Sequence, residues 1–215
     1  MDMTGTMVTT RATRTAHGPR AVKRSENTAK ILDAAIKCLN KEGYAGTTLL
    51  AVAEAAGVSR GQVQNIFGLK RTDLLTRIAE EIFGRYVQVY AKAIDAATNP
   101  AELTDRMWDA IQSLYARPET LALIEIWLAT RNDRSFNRKL RVMMVEIDSQ
   151  LNARWAESFS DAGLDADLIP VIRYFQRGIM RGLAIERLLG LPETVVQRII
   201  EEARVTTLAM LSRGA

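Results

Sequence analysis

The stretch "AVAEAAGVSRGQVQNIF", residues 51–67, limits what this chain can fold into more than any other. Two short segments with apolar residues at helical spacing meet at a Gly-Val-Ser corner. Gly57 follows the last periodic residue of the first segment, where a left-handed residue commonly ends a helix. Ser59 opens the second, its hydroxyl able to accept from an unpaired N–H of the first turn. Two helices joined this tightly form a helix-turn-helix, whose second member fits the major groove of DNA.

On a helical wheel that second segment divides cleanly. Val63, Ile66 and Phe67 point one way, while Gly61, Gln64 and Asn65 point the other. A glycine inside a helix costs roughly 1 kcal/mol against alanine, so close approach of the backbone to a ligand is a good reason for one here. Gln and Asn pair bidentately with adenine N6/N7, and Arg60 at the helix start can reach phosphate or guanine. Gln62 has two open roles, because Ser59-x-x-Gln62 also matches a capping box.

The remainder reads as helical throughout. Ser25 is a candidate N-cap for a first helix with Ile31, Ala35, Cys38 and Leu39 on one face and Gly43 at its end. A short second helix runs from about Thr48 to Ala56 with Leu49, Val52 and Ala53 inward, and a long fourth follows the recognition segment. Five more helices are divided by Arg117-Pro118, Asn132-Asp133, Gly163 and Leu191-Pro192. With no sustained period-two alternation, the chain is expected to be all-α: a three-helix domain, then a larger bundle, about nine helices in all. Residues 1–24 are expected to be a flexible basic arm, 25–71 the helix-turn-helix domain and 72–215 the bundle.

Charge supports this division. The net +4 of the chain splits into +6 over residues 1–71, with eleven Lys/Arg against five Asp/Glu, and −2 beyond, with eighteen against twenty. Such segregation points to a polyanion, either nucleic acid or an acidic membrane surface. No apolar run approaches the roughly 20 residues of a bilayer span and no secretory leader is evident, so a cytoplasmic location is expected. The basic arm has the composition of a transit peptide but forms no amphipathic helix. One cysteine, Cys38, and one histidine, His17, argue against a disulfide, a histidine metal cluster or a histidine-dependent triad. No cofactor, metal or enzymatic activity is expected.

"ILDAAIKCLNKEGYAGTTLLAVAEAAGVSRGQVQNIFGLKRTDLL" resembles the N-terminal domain of the tetracycline-repressor (TetR) family of bacterial transcription regulators. The match spans roughly residues 27 to 80, with Ile31-Leu32-Ala34-Ala35, Gly43-Tyr44, Thr47-Thr48, Ala56-Gly57-Val58-Ser59, Gly61 and Phe67 in register. The resemblance implies that Thr48 and the start of the second helix grip phosphate, with Ser59, Arg60, Gly61, Gln62, Gln64 and Asn65 toward the groove. Most members carry Tyr-Tyr-His or similar where this chain has Gln64, Asn65 and Ile66, so amides replace aromatic phosphate contacts. A phosphate-binding base at the start of the fourth helix falls on Lys70 counting forward from Phe67, or on Arg71 counting back from Leu74.

The family implies two further surfaces. Its last two helices pair with their twins, and here they carry Ile172, Phe175, Ile179 and Leu183, then Val196, Ile199 and Ile200, more apolar residues than a one-sided surface helix needs. Its effector cavity lies among the middle helices, which place Trp108, Ile111, Tyr115, Trp127, Met143, Met144 and Ile147 as candidate ligand contacts, or as plain core. With no His or Cys there, an apolar effector is expected, its polar group oriented by Arg106, Asp109, Arg131 or Glu146. The expected function is a ligand-responsive homodimeric repressor on a palindromic double-stranded DNA operator, released by a small effector. A weakly specific architectural DNA-binding protein is the alternative.

Overall fold

The computed structural model describes residues 19–158, 165 and 167–213, and among these every regular element is a helix. The order is α1 (Pro19–Gly46), α2 (Leu49–Ala56), α3 (Arg60–Phe67), α4 (Arg71–Asp95), α5 (Pro100–Tyr115), α6 (Glu119–Thr130), α7 (Arg134–Ser158), α8 (Leu168–Leu188) and α9 (Glu193–Arg213). None is long and apolar enough to cross a membrane.

Side-chain caps fix the boundaries that matter. The Thr48 hydroxyl accepts from the Ala51 N–H at 3.1 Å and starts α2. Gly57 ends α2 in the left-handed region (φ 64°, ψ 36°), and its N–H returns to the Ala53 and Glu54 carbonyls. Ser59 then starts α3 through a complete capping box: its hydroxyl accepts from the Gln62 N–H at 3.2 Å, and the Gln62 carbonyl oxygen accepts from the Ser59 N–H at 2.9 Å. Asn99 accepts from the Glu102 N–H at 2.9 Å, with Pro100 in the first turn of α5 where its missing donor costs nothing.

One apolar core runs through the molecule. Ile31, Ala35 and Leu39 of α1 meet Val52 and Ala53 of α2 and Val63 and Phe67 of α3, all buried. The core continues along α4 through Leu74, Ile78 and Ile82 into the bundle, where Trp108, Phe136, Trp155, Ile172 and Val196 are fully enclosed. The long α4 packs along α7, α5 lies against α8 and α9, and α6 packs on α1. Two hydrogen bonds tie that last contact: the Asn40 amide donates to the Pro118 carbonyl, and the Tyr44 N–H donates to Glu125 Oε2, both at 3.0 Å.

One expected boundary is corrected. α1 begins at Pro19, six residues before Ser25, which lies inside the helix and caps nothing. Proline's fixed φ suits a first helical turn, and residues 20–24 contain no breaker, so the polar segment continues the helix without an apolar face of its own. Gly43 breaks the helical backbone (φ 65°, ψ −173°) where the helix was expected to end, and a short helical turn follows to Gly46. Of the arm expected at residues 1–24, residues 19–24 belong to α1 and residues 1–18 lie outside the described residues.

Candidate nucleic-acid interface

The exposed face of α3 carries Arg60, Gly61, Gln62 and Asn65, with Gln64 half-buried beside them. Val63 and Phe67 hold the helix on the core, while Ile66, expected to point inward with them, is only half-buried at the rim. A Cβ built on Gly61 would have Ser59 Oγ at 3.9 Å as its nearest neighbour, an ordinary contact. Packing therefore does not require a glycine there. The capping box shows one of the two roles left open for Gln62; it commits the side-chain oxygen and not the amide N–H₂, so a base contact by that donor remains compatible with the cap.

The early start of α1 brings in residues missing from the sequence reading. Lys23, Arg24 and Asn27 line one open groove with Gln62, Asn65 and Ile66 of α3. Two cations and several amides thus share a concave surface beside the recognition helix. The signal in the sequence was the basic run itself, which lacked apolar periodicity and so did not read as a helix. At the other flank, Thr48 is exposed at the N-terminus of α2, where free backbone N–H groups and the helix dipole favour an anion.

Geometry distinguishes Lys70 from Arg71. The Arg71 guanidinium lies 3.9 Å from the centroid of the Tyr44 ring and donates to the Tyr44 and Ala45 carbonyls at 3.2 and 3.3 Å. It satisfies the end of α1 and joins that helix to α4. Lys70 is exposed at the N-cap of α4, its ammonium unengaged by any acid. Of the two, Lys70 is the base available to a phosphate.

Residues 31–77 match the family described as bacterial regulatory proteins, tetR family. The chain belongs to that family. It is similar to an uncharacterised HTH-type transcriptional regulator of Mycobacterium tuberculosis, 27% identical over 188 residues covering 82% of this chain and 91% of the relative. Among solved structures it is similar to the fatty acid degradation regulator FadR of Bacillus halodurans, with a TM-score of 0.70 at 17% identity over 84% of this chain and 97% of that one. FadR of Bacillus subtilis, solved with stearoyl-CoA, gives 0.60 at 17% identity over 87% and 97%. The chain is a DNA-binding transcription regulator of the TetR type.

Within the bundle of this TetR protein lies a small chamber of about 20 Å³ between α4, α5, α7 and α8. Of the candidate ligand contacts, Tyr115, Met144 and Ile147 line it, together with Tyr86 and Tyr90 of α4. Trp127 stacks on Phe83 at 6.2 Å, just outside the lining. Trp108 and Ile111 do not take part: both are buried against other elements, and the Trp108 indole N–H donates to Thr207 of α9 at 3.2 Å. Met143, one position round the helix from Met144, faces away from the chamber lining.

The polar lining is also not the expected one. Arg106, Asp109, Arg131 and Glu146 are exposed on the outer surface. Instead Arg173, Arg177 and Arg181 of α8, spaced four apart, line the chamber. Asp148 of α7 accepts from Arg177 at 2.7 and 3.0 Å, from Arg173 at 3.2 Å and from the Tyr174 hydroxyl at 3.0 Å. Burial pushes the Asp148 carboxyl up, but Arg177, Arg173 and Tyr174 more than offset this, and it titrates below its ordinary value. Arg173 is lowered by burial and by the like charge of Arg177, which outweigh the pairing with Asp148.

The proposed pairing helices also divide differently. Ile172, Leu183, Val196 and Ile200 are buried in the chain's own core and cannot form an outer face, while Phe175 and Ile179 are half-buried against it. Only Ile199 of the expected set is exposed. The outward stripe of α8 is Val171, Tyr174, Gly178, Gly182, Ile185 and Leu189, and α9 adds Val195, Val205 and Leu208. Both helices are apolar on two sides, and composition alone did not say which side was inward.

Proposed function

We propose that the chain acts as a homodimeric, ligand-responsive repressor on a palindromic operator. The observation that carries this is the single surface formed by α3 and the start of α1, where Gly61, Gln62 and Asn65 stand exposed beside Lys23 and Arg24. Amides read base edges, and the flanking cations with Lys70 and the Thr48 helix start position the backbone. One such head neutralises few phosphates, so a pair on successive major grooves about 34 Å apart gives the affinity a regulator needs. The unpartnered apolar stripe of α8 and α9 supports pairing, and Gly178 and Gly182 leave open space on it for close helix approach. A dimer seated on a promoter excludes polymerase without further contacts.

The chamber supports effector control. It is lined chiefly by apolar and aromatic side chains, and its walls α4 and α7 lead back to the DNA-binding head. Lys139 of α7 pairs with Asp73 at 3.3 Å, and Asp73 accepts the Lys70 N–H at 3.2 Å. On the other side Glu125 of α6 holds the N–H of Tyr44, whose ring stacks under Arg71. An effector that parts these helices favours a state with the two heads misplaced for DNA. The stearoyl-CoA in the similar Bacillus subtilis protein is in keeping with an amphiphilic effector.

The test is binding to fragments selected from the source genome and to random duplex, side by side across a salt series. The regulator reading predicts a selected palindrome bound at least about 10³-fold more tightly than random duplex. Equal affinities would instead favour a weakly specific architectural protein, in keeping with the commitment of half of Gln62 to the helix cap.

A further inference from the structure

The chamber holds more positive charge than its own acids can balance. Arg173 and Arg177 are 5% and 9% exposed, Arg181 is half-buried, and among the described residues Asp148 is the one carboxylate hydrogen-bonded to the pair. The remaining titratable groups facing them from α4 and α5 are the neutral phenols of Tyr86, Tyr90 and Tyr115. Nε of Arg177 and Nε of Arg181 are buried with no hydrogen-bond partner. The Arg181 guanidinium instead stacks over the Trp127 ring, 4.1 Å from its centroid. Buried donors left unpaired on a charged group are costly, and a chain keeps them where something else supplies the acceptor.

We infer that the effector of this protein is an organic anion with an apolar or aromatic body, its acid group held by Arg177 and Arg181. The inference rests on the proposal that this chamber receives the effector, and it names the chemistry of that ligand. An anion between these two residues fills the unpaired Nε donors, while Tyr115, Met144 and Ile147 enclose the body. At about 20 Å³ the chamber has room for roughly one water, so entry has to part the walls. Asp148 of α7 is ion-paired across those walls with both Arg177 and Arg173 of α8. An incoming acid exchanges with Asp148 on the Arg177 guanidinium. Asp148 stays paired with Arg173, while the Arg177 half of the bridge between α7 and α8 opens.

The experiment compares two fluorescent probes in the full chain: 8-anilinonaphthalene-1-sulfonate and its neutral counterpart N-phenyl-1-naphthylamine. Wild type should bind the sulfonate at least about tenfold more tightly, since hydrogen bonds to a charged group are worth that factor. Arg181→Met, at a half-buried site outside the Asp148 pair, should remove most of this preference and leave the neutral probe unchanged. Asp148→Asn, which takes away the competing carboxylate, should tighten the sulfonate several-fold, an outcome that a purely structural role does not produce. Met144→Trp, which fills the chamber, should lower binding of both probes. If the two probes bind wild type equally and both decline in Met144→Trp, the chamber is a ligand site and the anion assignment is wrong. If Met144→Trp leaves both unaffected, the probes sit elsewhere, and the effector reading of the chamber is wrong along with the anion assignment.

Discussion

Replacing Gly61 with alanine separates folding from DNA binding within one methyl group. Gly61 lies in the first turn of α3 and is absent from the glycines with positive φ. The added Cβ meets only Ser59 Oγ at 3.9 Å, so the free protein accepts it without strain. Alanine gains about 0.5–1 kcal/mol of helix propensity over glycine. In a chain of this size that raises the thermal midpoint by about 1–4 °C. On DNA the sign reverses. If the α3 backbone approaches the groove floor at Gly61, a methyl there acts as overpacking and costs about 1–3 kcal/mol, roughly a fivefold to 150-fold loss of operator affinity. Calorimetry of the free protein and fluorescence anisotropy on a selected operator, at one fixed salt, measure the two effects. A variant that melts higher yet binds its operator within about twofold of wild type would refute the close-approach argument. One that melts lower would refute the reading of Gly61 as unconstrained within the free protein.

Lys70→Ala should weaken binding to all duplexes alike and reduce the salt slope by about one, whereas Arg71→Ala should lower the thermal midpoint, through loss of its Tyr44 stacking and carbonyl contacts, and leave the slope unchanged. A salt slope that moves with Arg71 and not with Lys70 reverses that assignment. Ile199→Arg should yield folded monomers by sedimentation, since Ile199 is 37% exposed, and Ile200→Arg should unfold the chain, since Ile200 is 2% exposed. Dimers retained in Ile199→Arg would move the pairing surface off α9.

Much of this architecture was legible because local chemistry and long-range packing agree. Gly57, the Ser59–Gln62 pair and Asn99-Pro100 each announce a helix boundary by a mechanism that needs no tertiary contact. The sidedness of α3 followed from Val63 and Phe67 on one face of the wheel. Other features depend on what lies across the fold. Arg71 and Lys70 look equivalent until the end of α1, with Tyr44, is seen to lie over one of them. Arginines spaced along α8 read as a solvated face, and only the position of Asp148 on α7 shows that they point inward. The helical start of α1 had no apolar anchor in sequence, and Lys23 and Arg24 line a groove rather than a core.

The central claim is that the exposed amides of α3 read bases, and Asn65 tests it most directly because its side chain serves no cap. A double-mutant cycle between Asn65→Ala and each symmetric base-pair change in the selected operator isolates the contact from general affinity. The account predicts a coupling of about 1–3 kcal/mol confined to one pair of symmetric positions, with preference lost there and kept elsewhere. A binding profile across operator variants that is the same for wild type and Asn65→Ala would contradict it.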